Sequence, residues 1–467
     1  MPVECRIPNF GADSLTKLAL LFIRRCLVLV LYCTTLFAPG FANATEWYVQ
    51  PSVKVSTQYD NNLLLTPVHH TGTTEATVAP HLEFGAAQAN WDVQGSAEWR
   101  GHRYWGQNGL NGNDQVYNLS SLYRTPRTTW QLGASYAKES VTANSLFIPD
   151  IGLVSSVTPR ITRTVNPSWT WQMSQRMQLL LNYQTSVVTY NAPGSSLVNY
   201  TSRDGSATLQ YQWSHRNQLT AELDQSYFNV PQLSLSQIGQ PAYTETVNGL
   251  FTLLPNPQLQ RNTSTTDSAL LGWSHTFSPT LSGNISMGTS RTDSDIVVQS
   301  CTASTSPSIY FVNGQFVGLG TCTQTANSTY TETSSGYLYS AGLDKQFQLT
   351  QVTLSLGRQI SPSGIGAQVR MDSATLGVNR TFSPRLSGGL DLSGYRIRSI
   401  SSASPPLTDR DLDEGSINLT WDWTRQLTVQ GGYRYVEQKY LSNSVKAHDN
   451  AVYLSLAYAW RRNYISR

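Results

Sequence analysis

The most constraining feature of this 467-residue chain is alternation of apolar with small or polar residues over runs of about ten residues. In Val352-Thr353-Leu354-Ser355-Leu356-Gly357 the character changes at every step, and it does so again in Leu427-Thr428-Val429-Gln430-Gly431-Gly432-Tyr433-Arg434-Tyr435. Further runs are Ile417-Asn418-Leu419-Thr420-Trp421-Asp422-Trp423, Leu219-Thr220-Ala221-Glu222-Leu223-Asp224 and Ala207-Thr208-Leu209-Gln210-Tyr211-Gln212-Trp213. A period of two places the two kinds of residue on opposite faces of a strand. Strands of about ten residues are long enough to cross a bilayer at a tilt, whereas sandwich strands are usually about five or six.

Composition fits a wall with lipid on one side and water on the other. Charged residues make up only 13% of the chain and hydrophobic residues 39%, with a mean hydropathy of -0.29. Ser, Thr, Asn, Gln and Gly fill the gap, together with 24 Tyr and 12 Trp. Beyond residue 45 no segment approaches the roughly 20 apolar residues that a membrane helix requires. A soluble exported β-sandwich or solenoid is the competing reading, but the uneven turn spacing does not suit a repeat.

Residues 1–44 read as a signal peptide, and 45–467 as the barrel domain. Arg24 and Arg25 precede the apolar run Cys26–Tyr32, and Ala42-Asn43-Ala44 supplies a small-residue cleavage site. The apolar residues Leu18 to Ile23 lengthen the region ahead of the arginines, which raises a start codon downstream of Met1. Cleavage would leave 28 basic against 27 acidic residues, a net charge of +1. Such a balance argues against a nucleic-acid partner. Of the five cysteines, Cys301 and Cys322 remain after cleavage and are expected to close a disulfide across one loop.

Short turns recur near 89, 125, 175, 215, 278, 348, 383 and 425, often after an aromatic residue, as in Phe277-Ser278-Pro279-Thr280 and Phe382-Ser383-Pro384-Arg385. Longer connections separate them, including 105–114, 144–159, 233–264, 300–327 and 402–411. Eight hairpins plus a first and a last strand give about 18 strands, within a range of 16 to 18. The expectation is a single all-β, antiparallel, up-and-down transmembrane barrel with short periplasmic turns and long extracellular loops, in the outer membrane of a Gram-negative bacterium. The last strand agrees, with Val452, Leu454, Leu456, Tyr458 and Trp460 on one face, although Arg461 to Arg467 extend past the terminal aromatic.

Parity assigns Glu98, Arg100, Glu222, Asp224, Asp391 and Arg434 to the lumen, as a pore lining or as ordinary ion pairs. It places Trp213, Trp273, Trp421, Trp423, Tyr458 and Trp460 in a periplasmic aromatic girdle. Arg358 has lipid parity near the outer rim, where its side chain could snorkel or a bulge could account for its position. The apolar connections 144–159 and 233–264 are expected to fold inward or to pack on the rim. His102 shares parity with Ser96 and Glu98, a hydrolase constellation in principle, but no phosphate loop, zinc motif or dinucleotide fingerprint accompanies it. No enzyme, cofactor or metal is expected.

The segment Val53-Lys54-Val55-Ser56-Thr57-Gln58-Tyr59-Asp60-Asn61-Asn62-Leu63 resembles the opening of a family of outer-membrane β-barrels associated with exopolysaccharide and exosortase (PEP-CTERM) systems. That resemblance implies a role in export or display of a polysaccharide. The implied partners are outer-membrane lipid, the outer-membrane assembly machinery and polysaccharide or its export proteins. The alternatives are a structural or surface-binding barrel plugged by the 233–264 connection, and, last, a barrel hydrolase.

Overall fold

The computed structural model describes residues 45–67, 70–106, 110–141, 158–190, 197–231, 234–235, 244–247, 250–253, 259–304, 308–312, 315–319, 322–364, 366–400, 409–441 and 445–466. The expected signal peptide lies outside the described residues. From Trp47 to Ile465 the chain forms one compact unit.

Eighteen long strands build the wall. They are β1 (Glu46–Asp60), β2 (Thr73–Ala87), β3 (Trp91–Trp105), β4 (Gly112–Arg124), β5 (Thr128–Val141), β6 (Thr158–Gln172), β7 (Met177–Tyr190), β8 (Tyr200–Ser214) and β9 (Asn217–Asn229). The second half consists of β10 (Leu259–Ser278), β11 (Leu281–Ser304), β12 (Cys322–Gln346), β13 (Thr350–Pro362), β14 (Gln368–Ser383), β15 (Leu386–Ser399), β16 (Arg410–Asp422), β17 (Leu427–Tyr440) and β18 (Lys446–Ala459). Each strand pairs with its sequence neighbours. β1 returns to β18 in an antiparallel ladder from Ser52 opposite Ala459 to Asp60 opposite Ala451. The sheet is therefore closed and has no free edge, as a backbone in hydrocarbon requires.

All eight turns expected at one end are present, each joining two strands through a few residues. Sequence chemistry makes them tight: Ser174 Oγ accepts from the Arg176 and Met177 amides, and Thr424 Oγ1 from those of Gln426 and Leu427. The opposite end differs from expectation at 300–327. There the ladder between β11 and β12 continues to Ser304 opposite Cys322, and a small hairpin, Ser308–Val312 with Gln315–Leu319, lies between them. Cys301 stands opposite Thr325 and Cys322 opposite Ser304, three positions apart on the ladder. That offset is about 10 Å, beyond the reach of a disulfide. The backbone register thus does not support the expected bridge; the cysteine side chains themselves lie outside the described residues.

Alternation sorts the wall as the barrel needs. Leu223, Leu271, Met287, Ile417, Leu419, Val452, Leu454 and Leu456 point outward and are exposed. Exposed apolar side chains in a continuous outward band are stable only against lipid, so the chain is an outer-membrane-type transmembrane barrel. Trp213, Trp273, Trp421, Trp423 and Trp460 are outward and exposed beside the short turns, and Tyr458 is half-buried among them. Trp421 and Trp423 stack with ring centres 5.6 Å apart. Amphipathic rings so placed beside the short turns suit the headgroup level of a bilayer. No helix of the described residues is long and apolar enough to cross a membrane.

Candidate functional site

The candidate site is the lumen. Cross-strand partners share a face, so the registers place Glu98, Arg100, Glu222, Asp224, Asp391 and Arg434 all on the inner wall, as parity indicated. They do not form one cluster. They fall into four groups around the circumference.

On β2–β5, Arg100 donates from Nε to Glu98 and from Nη1 to Glu139 at 3.2 Å. His81 Nδ1 lies 3.3 Å from the other oxygen of Glu98. Towards the outer end His102 is held between Glu75 Oε1 at 2.6 Å and Asp114 Oδ2 at 3.1 Å. These are inner-wall ion pairs, and they also remove the hydrolase reading. Ser96 accepts from Asn118 Nδ2 at 3.3 Å and is six residues from His102 on the same strand, about 20 Å away.

On β8–β10, Glu222, Asp224 and Asp204 face inward together. Asp224 Oδ2 accepts from Ser268 Oγ at 3.2 Å. Asp391 and Glu414 occupy the wall of β15–β16 and line a recess of about 410 Å³ with Asn379 and Tyr395. Two further recesses open at the turn end. One of about 470 Å³ is lined by Gln212, Gln218, Asn284 and Asp344, and one of about 600 Å³ by Glu83, Gln94, Asn118 and Arg462. Their linings are mixed, with Leu343 and Leu354 in the first and Leu119 and Ala134 in the second beside the polar residues.

The fourth group closes the barrel. Arg434 Nη2 donates to Asp60 Oδ1 at 3.3 Å and lies 3.9 Å from Asp449 Oδ2. Asp449 Oδ1 in turn accepts from the Asn62 amide at 2.8 Å, and the Asn62 side chain donates to the Thr66 and His448 carbonyls. The Tyr-Asp-Asn-Asn segment thereby turns the chain inward after β1. Leu65 follows with φ of 46°, a left-handed conformation unusual for a residue with a side chain. It is held there by burial against Leu412, Val436 and Ala447 on β16–β18.

A second connection, between β13 and β14, also folds into the outer mouth. The Val198 amide donates to the Gly364 carbonyl at 2.7 Å, and Asn262 Nδ2 to the Gly366 carbonyl at 3.0 Å. Thr266 Oγ1 on β10 donates to Gln368 Oε1 on β14 at 2.8 Å, reaching across three intervening strands. Val188, Val198, Phe228 and Val230 pack beneath as a small apolar cluster. Each buried side chain of this size is worth about 2 kcal/mol. Two inward connections, 61–66 and 363–367, therefore narrow the outer mouth. The expected inward segment 144–159 lies outside the described residues but for Thr158 and Pro159, whereas 233–264 is described in part, with Ser234–Leu235 paired to Leu259–Gln260 and a small hairpin of Thr244–Val247 with Leu250–Leu253. Neither narrowing connection is strongly apolar over a long run, which is why alternation did not reveal them.

The extension past Trp460 is accommodated at the turn end. Arg462 donates from Nε to Gln50 Oε1 at 3.0 Å, stacks over Tyr48 at 4.3 Å and lies 3.7 Å from Glu83. Among the described residues no cluster of His, Cys, Asp and Glu is arranged to hold a metal.

No family model and no curated protein matches the chain. Among solved structures it is similar to the outer membrane protein OpdK of Pseudomonas aeruginosa, crystallised with vanillate, at 11% identity, 88% of this chain, 98% of that one and a TM-score of 0.40. Acinetobacter baumannii OccAB4 aligns at 10% identity, 90% and 98% coverage and a TM-score of 0.43. The A. baumannii siderophore receptor PirA aligns at 10% identity, 91% and 81% coverage and a TM-score of 0.40. Similarities of this order assign neither a family nor a substrate.

Proposed function

We propose that this barrel is a diffusion pore that favours cationic and neutral polar solutes. One observation carries the reading. Along the inner parity of β8 to β16, Arg410 at the outer end is the sole Lys or Arg among the described residues, whereas Asp204, Glu222, Asp224, Asp344, Asp391 and Glu414 all face inward. The facing half of the wall, by contrast, pairs its acids with Arg100 and Arg434. Carboxylates along half a confined, water-filled passage raise the local concentration of cations and repel anions. A closed barrel of 18 strands is wide enough for an aqueous passage. The inward connections at 61–66 and 363–367 would set its limiting width.

A finer reading is that the pore conducts exopolysaccharide. Its support is the Val53–Leu63 resemblance together with a wall rich in Ser, Thr, Asn and Gln, which can exchange hydrogen bonds with sugar hydroxyls. Single-channel recording of the refolded protein in a planar bilayer, with and without neutral oligosaccharide, tests both levels. Steady conductance supports the pore, and concentration-dependent block by oligosaccharide supports the glycan conduit. A folded barrel with no conductance would sink both.

A further inference from the structure

Most of the outward wall is apolar, but the outer ends of β13 to β16 are not. One cross-strand row there reads Arg358, Asp372, Arg396 and Asp411, each the register partner of the next. Arg358 clamps Asp372 through Nε and through Nη2, the latter at 2.9 Å, and its guanidinium lies 4.2 Å from the Tyr337 ring centre and 5.5 Å from that of Tyr339. Interfacial tyrosines beside a paired arginine mark headgroup depth. Two positions further out, Arg370 on β14 stands directly opposite Arg398 on β15.

Like charges as direct cross-strand partners destabilise a sheet unless something lies between them. Arg398 is tied to Asp411 at 2.6 Å and to the Ile397 and Arg410 carbonyls at 2.9 Å. Arg370 and Arg396 are exposed and have no ion pair within 4 Å among the described residues. Asp409 stands beside them, its Oδ1 accepting from the Ser399 amide at 2.8 Å, so four arginines against three aspartates leave an excess of one positive charge. Along β16 to β18 the outward face adds Lys439 and Lys446 but also Asp413 and Glu437, with Lys446 bonded to Glu437 at 2.6 Å, so the excess is centred on β14 and β15. Below it, Leu354, Leu356, Leu390 and Leu392 are exposed and outward.

We infer that Arg370, Arg396 and Arg398 form a docking site for the phosphate of a phosphorylated glycolipid in the outer leaflet. Guanidinium groups are suited to bidentate phosphate recognition, and basic clusters at headgroup depth bind anionic lipids. The leucines beneath supply the surface along which acyl chains would lie, which favours a lipid over a free anion. This site is on the outer face and does not depend on the pore reading.

The test uses the full refolded barrel in detergent micelles, titrated with diphosphoryl lipid A, dephosphorylated lipid A and inorganic phosphate, with bound lipid counted by native mass spectrometry. One diphosphoryl lipid A per barrel is expected, with affinity falling about tenfold or more in Arg370→Gln/Arg396→Gln. Neither residue holds an ion pair among the described residues, so folding is expected to be kept, and heat-modifiable gel mobility checks it; Arg370→Gln alone serves if it is not. Arg203→Gln, an exposed outward arginine on β8, is the control and should bind as the parent does. Equal binding by the double variant, or equally tight binding of dephosphorylated lipid A, would overturn the inference. Saturable inorganic phosphate binding that displaces the lipid would make this a free-anion site and overturn the lipid assignment.

Discussion

Arg434 on β17 donates to Asp60 on β1 at 3.3 Å, an ion pair that steps over β18 and ties the last strands to the first. Asp60 and Asp449 are both fully buried around this single guanidinium. Removing one partner of a buried charged group leaves the others uncompensated, at a cost of about 3 kcal/mol or more. Arg434→Ala is therefore expected to lower the urea midpoint of the folded barrel by a corresponding amount. Adding Asp60→Asn to it should recover part of the loss. An unchanged midpoint in Arg434→Ala would show that closure does not rest on this pair.

Gly366 has φ of 87°, and a Cβ placed on it would come within 3.0 Å of Val198 Cγ2. A side chain is doubly disfavoured there, by backbone conformation and by contact. Gly366→Ala should dislodge the 363–367 connection while leaving the ladder intact. The expected outcome is larger unitary conductance with unchanged gel mobility. Equal conductance would mean that this connection does not limit the passage.

Leu270 and Leu271 are consecutive on β10 and face opposite sides, Leu270 opposite Glu222 in the lumen and Leu271 outward, 70% exposed. Leu271→Arg should destabilise the barrel in lipid by about 3 kcal/mol, the cost of a basic side chain near the bilayer midplane. Leu270→Arg should fold and lower cation preference. Equal urea midpoints for the two variants in lipid vesicles would contradict the face assignment.

Glu222 and Asp224 contribute two of the inward acids on the wall that lacks basic partners. Glu222→Gln/Asp224→Asn should reduce the ratio of cation to anion permeability about twofold or more, in keeping with the steering strength of such charges. The effect should shrink as salt rises, because the Debye length falls to about 3 Å at 1 M. A ratio that did not move at 0.1 M salt would exclude these two residues from the selectivity-setting wall.

Much of the architecture is legible in the sequence. The alternation at Leu427–Tyr435 and the turns at Phe277-Ser278-Pro279 and Trp423-Thr424-Arg425 are local signals, and they fixed strand number, direction and face. What was not legible depends on register between distant segments. Nothing near Leu65 announces its partners Leu412 and Val436, and Gly364 gives no sign of Val198. Parity alone leaves Arg358 as a lipid-facing residue near the rim or one displaced by a bulge; its clamp on Asp372 depends on the register of β13 with β14, which shows no shift there. The polar, turn-rich composition between Cys301 and Cys322 suggests a stapled loop, but the backbone beside both cysteines runs as ladder, a register that composition does not reveal. Asp60 and Asn62, within the Val53–Leu63 segment, hold the barrel seam through partners on β17 and β18 that lie almost 400 residues away in sequence.

The central claim is that the lumen conducts and prefers cations. Its most direct test is the zero-current potential of the refolded protein in a planar bilayer under a tenfold potassium chloride gradient. The account predicts a steady open channel whose reversal potential has the sign of potassium selectivity. A reversal potential of the opposite sign, or a correctly folded barrel that passes no current, would contradict it.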